Sequence, residues 1–222
     1  MGKQNIKDVL KDKAIVKQEV FEECQMVFNE LKEVLNKEIL DLKESIENEK
    51  VRLIYQDTGA YETRVTLGGD TILFHMHTNV FKFDDQHASW NTSYVKQDPY
   101  RAYCGVINIY NFLSDSFHYN RFNDQGYLIG RIFINKERHF MVEGKGQLGF
   151  LYRDFVHKTL DNELLLEVAR TAIAFAIDFE LLVPPYDQVQ LVSVAQMNQM
   201  SDNLQLKTGK RLGFRFGIDE NE

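Results

Sequence analysis

Two cysteines and three prolines among 222 residues leave this chain little with which to staple loops or interrupt helices. Cys24 lies in an expected helix and Cys104 at an expected strand, which suits reduced, buried thiols better than a disulfide framework. The thirteen glycines gather in no linker-like or low-complexity stretch, so the chain reads as one compact body. No long apolar run escapes charge. Leu164 to Val183 has the length of a bilayer span but carries Glu167, Arg170, Asp178 and Glu180, the mark of a core helix. The N-terminal residues lack the apolar region and small-residue cleavage site of a secretory signal, and the expectation is a cytoplasmic protein without membrane attachment. An excess of positive charge is missing too. At a net charge of −7 and a pI near 5.4, nucleic acid is not an expected partner, because such binding rests on neutralising phosphates with Lys and Arg. G-x-S-x-G, Walker, Cys-x-x-Cys and His-Glu-x-x-His motifs are absent, which removes the common hydrolase, NTPase and zinc-protease readings.

What is present begins with a Gly- and Pro-free stretch from about Asn5 to Asn48, in which apolar residues recur every three or four positions. It predicts an amphipathic helix that, unbroken, would reach about 66 Å at 1.5 Å per residue, so part of it must project, pair or bend. Phe21, Phe28, Leu35 and Leu42 hold a seven-residue spacing amid Glu, Lys, Asn and Gln, the pattern of a coiled-coil seam. These four are the expected dimerisation residues, and packing of the helix on its own domain is the alternative. Residues 1–50 are thus read as a helical dimerisation element and 51–222 as a single α+β domain.

After Lys50 the period changes to that of strands. Val51 to Gln56, Glu62 to Leu67 and Thr71 to Phe83 are expected strands, the last two joined by a Gly68-Gly69-Asp70 turn. Tyr103 to Phe112, Tyr127 to Ile134 and His139 to Glu143 follow, with Asn135 to Arg138 as a hairpin loop. Residues 71–155 hold 18 of the 27 aromatic residues. Asp161 is the expected N-cap of a helix to about Leu182, ended by Pro184-Pro185, with strands at Val189 to Val194 and Arg211 to Ile218 beyond. The predicted fold class is α+β: an antiparallel, aromatic-rich sheet packed with a long N-terminal helix and a buried helix in the C-terminal half.

Several groupings carry chemistry. His75 and His77, two apart on one strand, project to the same face, and Asp84, Asp85 and His87 can complete a set suited to a divalent transition metal such as iron or zinc. Gly69, His75 and His77 resemble the opening of the first cupin motif. Phe81 and Lys82 stand where that motif has its Glu, and no Pro-x-Gly-x-x-His follows, so the likeness covers nine residues and assigns no family. Gly144-Lys145-Gly146-Gln147-Leu148-Gly149 locally resembles a dinucleotide-binding turn, and Gly144, Lys145 and Gly146 are the phosphate candidates there. No second parallel strand is expected after it, which a Rossmann unit requires. Lys207, Lys210, Arg211 and Arg215 form a basic cluster that suits a charged edge strand.

Two long polar connections are expected binding loops. Residues 84–101 supply Trp90, Tyr94 and Tyr100, and residues 114–126 supply His118 and Arg121. The function that composition and pattern support first is a non-enzymatic domain that binds a small molecule or a protein and forms a homodimer through its N-terminal helix; this reading needs no cofactor. A metal-dependent enzyme built on His75 and His77 is the alternative, and phosphate or nucleotide binding at Gly144 to Gly149 is a third reading.

Overall fold

A computed structural model describes residues 3–46, 48–179 and 186–198. The chain divides into two units, the first comprising Met1–Ser114 and Gln125–Phe179 and the second Asp115–Asp124 and Glu180–Glu222. The long helix is not an appendage: it belongs to the same unit as the sheet.

Helix α1 runs from Lys3–Ser45, as a stretch free of Gly and Pro with one apolar face allows. Strands β1 (Leu53–Gly59), β2 (Glu62–Leu67), β3 (Asp70–Met76), β4 (Phe81–Lys82), β5 (Tyr103–Leu113), β6 (Tyr127–Ile134) and β7 (Phe140–Gly144) follow. They form one antiparallel sheet in the order β1-β2-β3-β5-β6-β7, with the short β4 paired to β5. Gly68, at a φ of +60°, turns β2 into β3 so that Leu67 faces Asp70. The short helices are α2 (Ser93–Gln97), α3 (Ser114–His118) and α4 (Leu148–Leu151), followed by α5 (Asn162–Ile177) and, in the second unit, α6 (Tyr186–Val189). Asp161 is the N-cap of α5, accepting the Leu164 backbone N–H at 2.9 Å.

One sheet face is covered by α1 and α5. Cys24, Val27, Phe28, Leu31 and Leu35 of α1 are wholly buried against Val65, Ile72, Phe74, Ile107, Ile109 and Ile132, while Leu165, Val168, Ala169 and Ala172 of α5 close the same core. Each such large apolar side chain contributes about 1.5–3 kcal/mol on burial. Phe28 and Leu35 of the expected seam are therefore core residues of their own unit, and Phe21 and Leu42 pack against that core. Ion pairs fix the helix's rotation. Arg138 meets Glu23 at 2.5 Å and Glu30 at 2.6 Å, Lys32 meets Asp57 at 2.7 Å, and Arg170 grips Glu38 at 2.8 Å.

Several element boundaries differ from the sequence expectation. Strand β3 stops at Met76, because the chain turns there: His77 Nδ1 accepts the Asn79 backbone N–H at 2.9 Å. Helix α5 ends at Ile177 and is buried on one face, with Glu163, Glu167, Arg170 and Ile177 outward, whereas the apolar composition had suggested burial nearly all round. The expected strand from Val189 to Val194 does not form. Residues 186–189 and 194–198 are helical, and 190–193 between them pair with no strand among the described residues. Arg211 to Ile218 and the Lys207 to Arg215 cluster lie outside the described residues.

Candidate functional site

The opposite sheet face is covered by residues 83–102, a folded insert. Its polar residues are there to start short turns. Asp84 accepts the Gln86 backbone N–H, and His87 accepts that of Ser89 to open a 3-10 turn over Ala88–Asn91. Thr92 caps α2 and Asp98 caps a second 3-10 turn, Pro99–Ala102. Beneath these turns Phe83, Val95, Ala102 and Phe155 cover Cys104, Val106, Phe133 and Met141, a second and smaller core.

The insert is clasped to the β6–β7 turn by a polar network. The Tyr94 hydroxyl donates to Glu137 at 2.7 Å and accepts from Asn135 Nδ2 at 2.9 Å, and its ring stacks on His139 at 4.2 Å. The Arg101 guanidinium lies 4.3 Å from the Tyr94 ring centre and donates to Glu137 at 3.0 Å. Asn135, fully buried, also accepts the backbone N–H groups of Glu137 and His139. Burial pushes the Tyr94 phenol above its ordinary range, more than its hydrogen bond from Asn135 lowers it. At Glu137 burial acts upward as well, but hydrogen bonds from Tyr94 and Arg101 outweigh it and hold the carboxyl below the usual carboxylate range.

Where the insert, β7 and the segment after α4 meet, a cavity of about 660 Å³ opens. The insert contributes His87, Ala88, Ser89 and Thr92, and β7 contributes Met141, Val142, Glu143 and Gly144. Gly149 and the run from Arg153 to His157 form the third wall. The volume lies within the range of small-molecule sites, and Met141, Val142, Phe155 and Val156 make an apolar lining carrying a few polar groups. Asp154 caps its own turn, accepting the backbone N–H groups of Val156 and His157 at 3.1 Å, and its carboxylate holds His157 Nδ1 at 3.0 Å. Burial acts to raise the Asp154 carboxyl, but the His157 ring and the two backbone groups prevail and hold it below the usual carboxylate range.

The Gly144 to Gly149 motif borders this cavity, and its glycines answer to packing. A Cβ at Gly144 would lie 2.8 Å from the Ile129 carbonyl oxygen and 2.9 Å from Leu148 Cβ, and one at Gly149 would strike the Gly144 carbonyl. Gly146 holds a φ of +53°, which lets the chain double back. The Lys145 backbone N–H is spent on the Ile129 carbonyl at 2.9 Å, and α4, only four residues long, is no phosphate-binding helix start.

The expected metal set is dispersed. His75 pairs in register with Asn108 and Glu62 on the sheet, whereas His77 begins a turn with its ring against Phe81. Asp85 pairs with Lys82, Asp84 caps a turn, and His87 stacks on Phe83 at 4.3 Å. Among the described residues no three His, Cys, Asp or Glu side chains gather as a metal would require. The binding-loop aromatics are mostly structural: Trp90 donates its indole N–H to the Asp84 carbonyl, Tyr94 belongs to the clasp, and Tyr100 lies against Tyr103. His118 packs on Tyr119 and Arg121 pairs with Asp124, both within the second unit.

Sequence reasoning singled out His87 and Gly144, which do line the cavity, but passed over Ser89, Arg153, Asp154 and His157. The Asp-x-x-His spacing of Asp154 and His157, one turn apart beside the glycine motif, was the available signal. Comparison with protein-family models, curated proteins and solved structures finds no match to this chain. No helix among the described residues is long and apolar enough to cross a membrane.

Proposed function

We propose that this protein is a non-enzymatic binding domain whose ligand, a small molecule, sits in the cavity between the insert and the Gly149 to His157 wall. The supporting observation is the cavity itself: a volume of about 660 Å³ with an apolar lining and a few polar groups converging from three elements. Filling it tests the reading. Ala88, exposed on the cavity rim, accepts a bulky side chain without disturbing the core. Small molecules that raise the melting temperature of the parent protein are expected to raise that of Ala88→Trp far less; equal shifts in both would remove the cavity from consideration.

A second observation favours self-association through α1, at positions other than the expected seam. Ile6, Val9 and Leu10 lie about five helical turns before Cys24, Val27 and Phe28 and so continue the same face, yet Ile6 is 53% and Leu10 67% exposed. A second copy supplies the matching apolar stripe. Leu10→Gln is expected to shift a dimer to monomer in sedimentation equilibrium, and a parent monomer at micromolar concentration would end this part of the reading.

A further inference from the structure

We infer that the cavity's ligand is an apolar-tailed carboxylate carrying a hydroxyl or amide N–H near its acid group. The inference rests on the small-molecule reading above and names its ligand class.

Charge decides the head group. Five lining residues carry ionisable side chains: His87, Glu143, Arg153, Asp154 and His157. Glu143 is paired with Arg131, and Asp154 is engaged by His157. Arg153 donates its Nε hydrogen to the Gly149 carbonyl, which orients the guanidinium, and among the described residues it forms no ion pair. Arg153 is therefore the one charged lining residue that, among the described residues, has no side-chain partner. A guanidinium whose terminal nitrogens remain available favours a planar carboxylate, which two parallel N–H groups match.

The two imidazoles decide the rest. His87 Nδ1 accepts the Ser89 backbone N–H at 3.2 Å, and the Ser89 hydroxyl, 2.9 Å away, can donate to the same nitrogen, so in the neutral ring the hydrogen lies on Nε2, which is a donor. His157 Nδ1 faces the Asp154 carboxylate, which can only accept, so Nδ1 carries a hydrogen, and in the neutral ring Nε2 offers a lone pair. In their neutral forms the two rings thus take opposite tautomers. His87 adds a donor for the acid group, and His157 an acceptor for a neighbouring hydroxyl or amide. Met141, Val142, Phe155 and Val156 meet the tail.

Isothermal titration calorimetry with octan-1-ol, octanoate and 2-hydroxyoctanoate separates these contributions. Octanoate is expected to bind about tenfold more tightly than octanol, the scale of a charge-assisted hydrogen-bond pair, and 2-hydroxyoctanoate more tightly still. Arg153→Gln erases the preference for octanoate over octanol, Arg153→Lys restores part of it, and His157→Phe removes the gain from the 2-hydroxyl. Equal binding of octanol and octanoate, or octanoate binding untouched by Arg153→Gln, overturns the acid assignment. If Ala88→Trp still abolishes binding in that case, the cavity reading survives. Absence of binding by all three probes, or binding that Ala88→Trp leaves intact, overturns the assignment together with the reading beneath it. Circular dichroism melting of each variant separates loss of contact from loss of fold.

Discussion

The two faces of the sheet are covered in opposite ways. On one, α1 and α5 lay continuous apolar stripes over Val65, Phe74, Ile109 and Ile132, and burial of regular helix does the work. On the other, a string of capped turns covers Val106, Phe133 and Met141, and a polar clasp at Asn135, Tyr94, Arg101 and Glu137 holds it down. Regular helices interdigitate with a sheet and leave few gaps. At the edge of the face covered by short turns the cavity of about 660 Å³ opens with an apolar lining, whereas the hollow of about 520 Å³ between α1 and α5 is lined mainly by charged and polar side chains such as Glu33, Lys37, Glu38 and Arg170.

If that contrast is right, the largest loss of stability comes from the helix-covered face. Phe28→Ala is expected to cost about 3–5 kcal/mol in urea unfolding, because the fully buried ring leaves a cavity that neither helix nor sheet can close. A loss under about 1 kcal/mol would show that α1 is a dispensable cover. Asn135→Ala, on the clasp, strands the backbone N–H groups of Glu137 and His139 and removes one of the two hydrogen bonds of the Tyr94 hydroxyl. It is expected to cost about 1–3 kcal/mol. Its effect should be local: amide exchange is expected to accelerate in residues 83–102 and leave the α1 core protected, and uniform acceleration would abolish the distinction between the faces.

The smallest effect is electrostatic. Glu137 is held below the usual carboxylate range when folded, so it stabilises above the unfolded value of about 4.3, and that contribution is lost as pH falls through the lower folded value. The parent's melting temperature is expected to fall more steeply than that of Glu137→Gln below about pH 4. Parallel curves would show that the clasp draws nothing from this carboxylate.

Much of the helix-covered face was legible in the sequence because its signals are local. The Gly- and Pro-free run with apolar residues at three and four spacing becomes α1, Gly68-Gly69 becomes a hairpin, and Asp161 caps α5. The insert was legible only as a long polar connection. Asp84, His87, Thr92 and Asp98 look alike as loop residues until each is seen capping a turn, and His75 and His77 look like a pair until the strand ends between them. Sequence spacing says which residues share an element, not where that element stops. A one-residue difference at a strand end moves a side chain from the sheet face into a turn.

The sequence by itself determined an α+β fold with an antiparallel sheet, because hydrophobic period, turn glycines and helix caps all act over a few residues. Only the tertiary structure decided that Phe28 and Leu35 face the chain's own sheet rather than a partner. It also brought His87 to within one cavity of Arg153 and His157. Those outcomes depend on which surfaces close over one another, a competition for burial that spans more than sixty residues of chain and leaves no mark in local pattern.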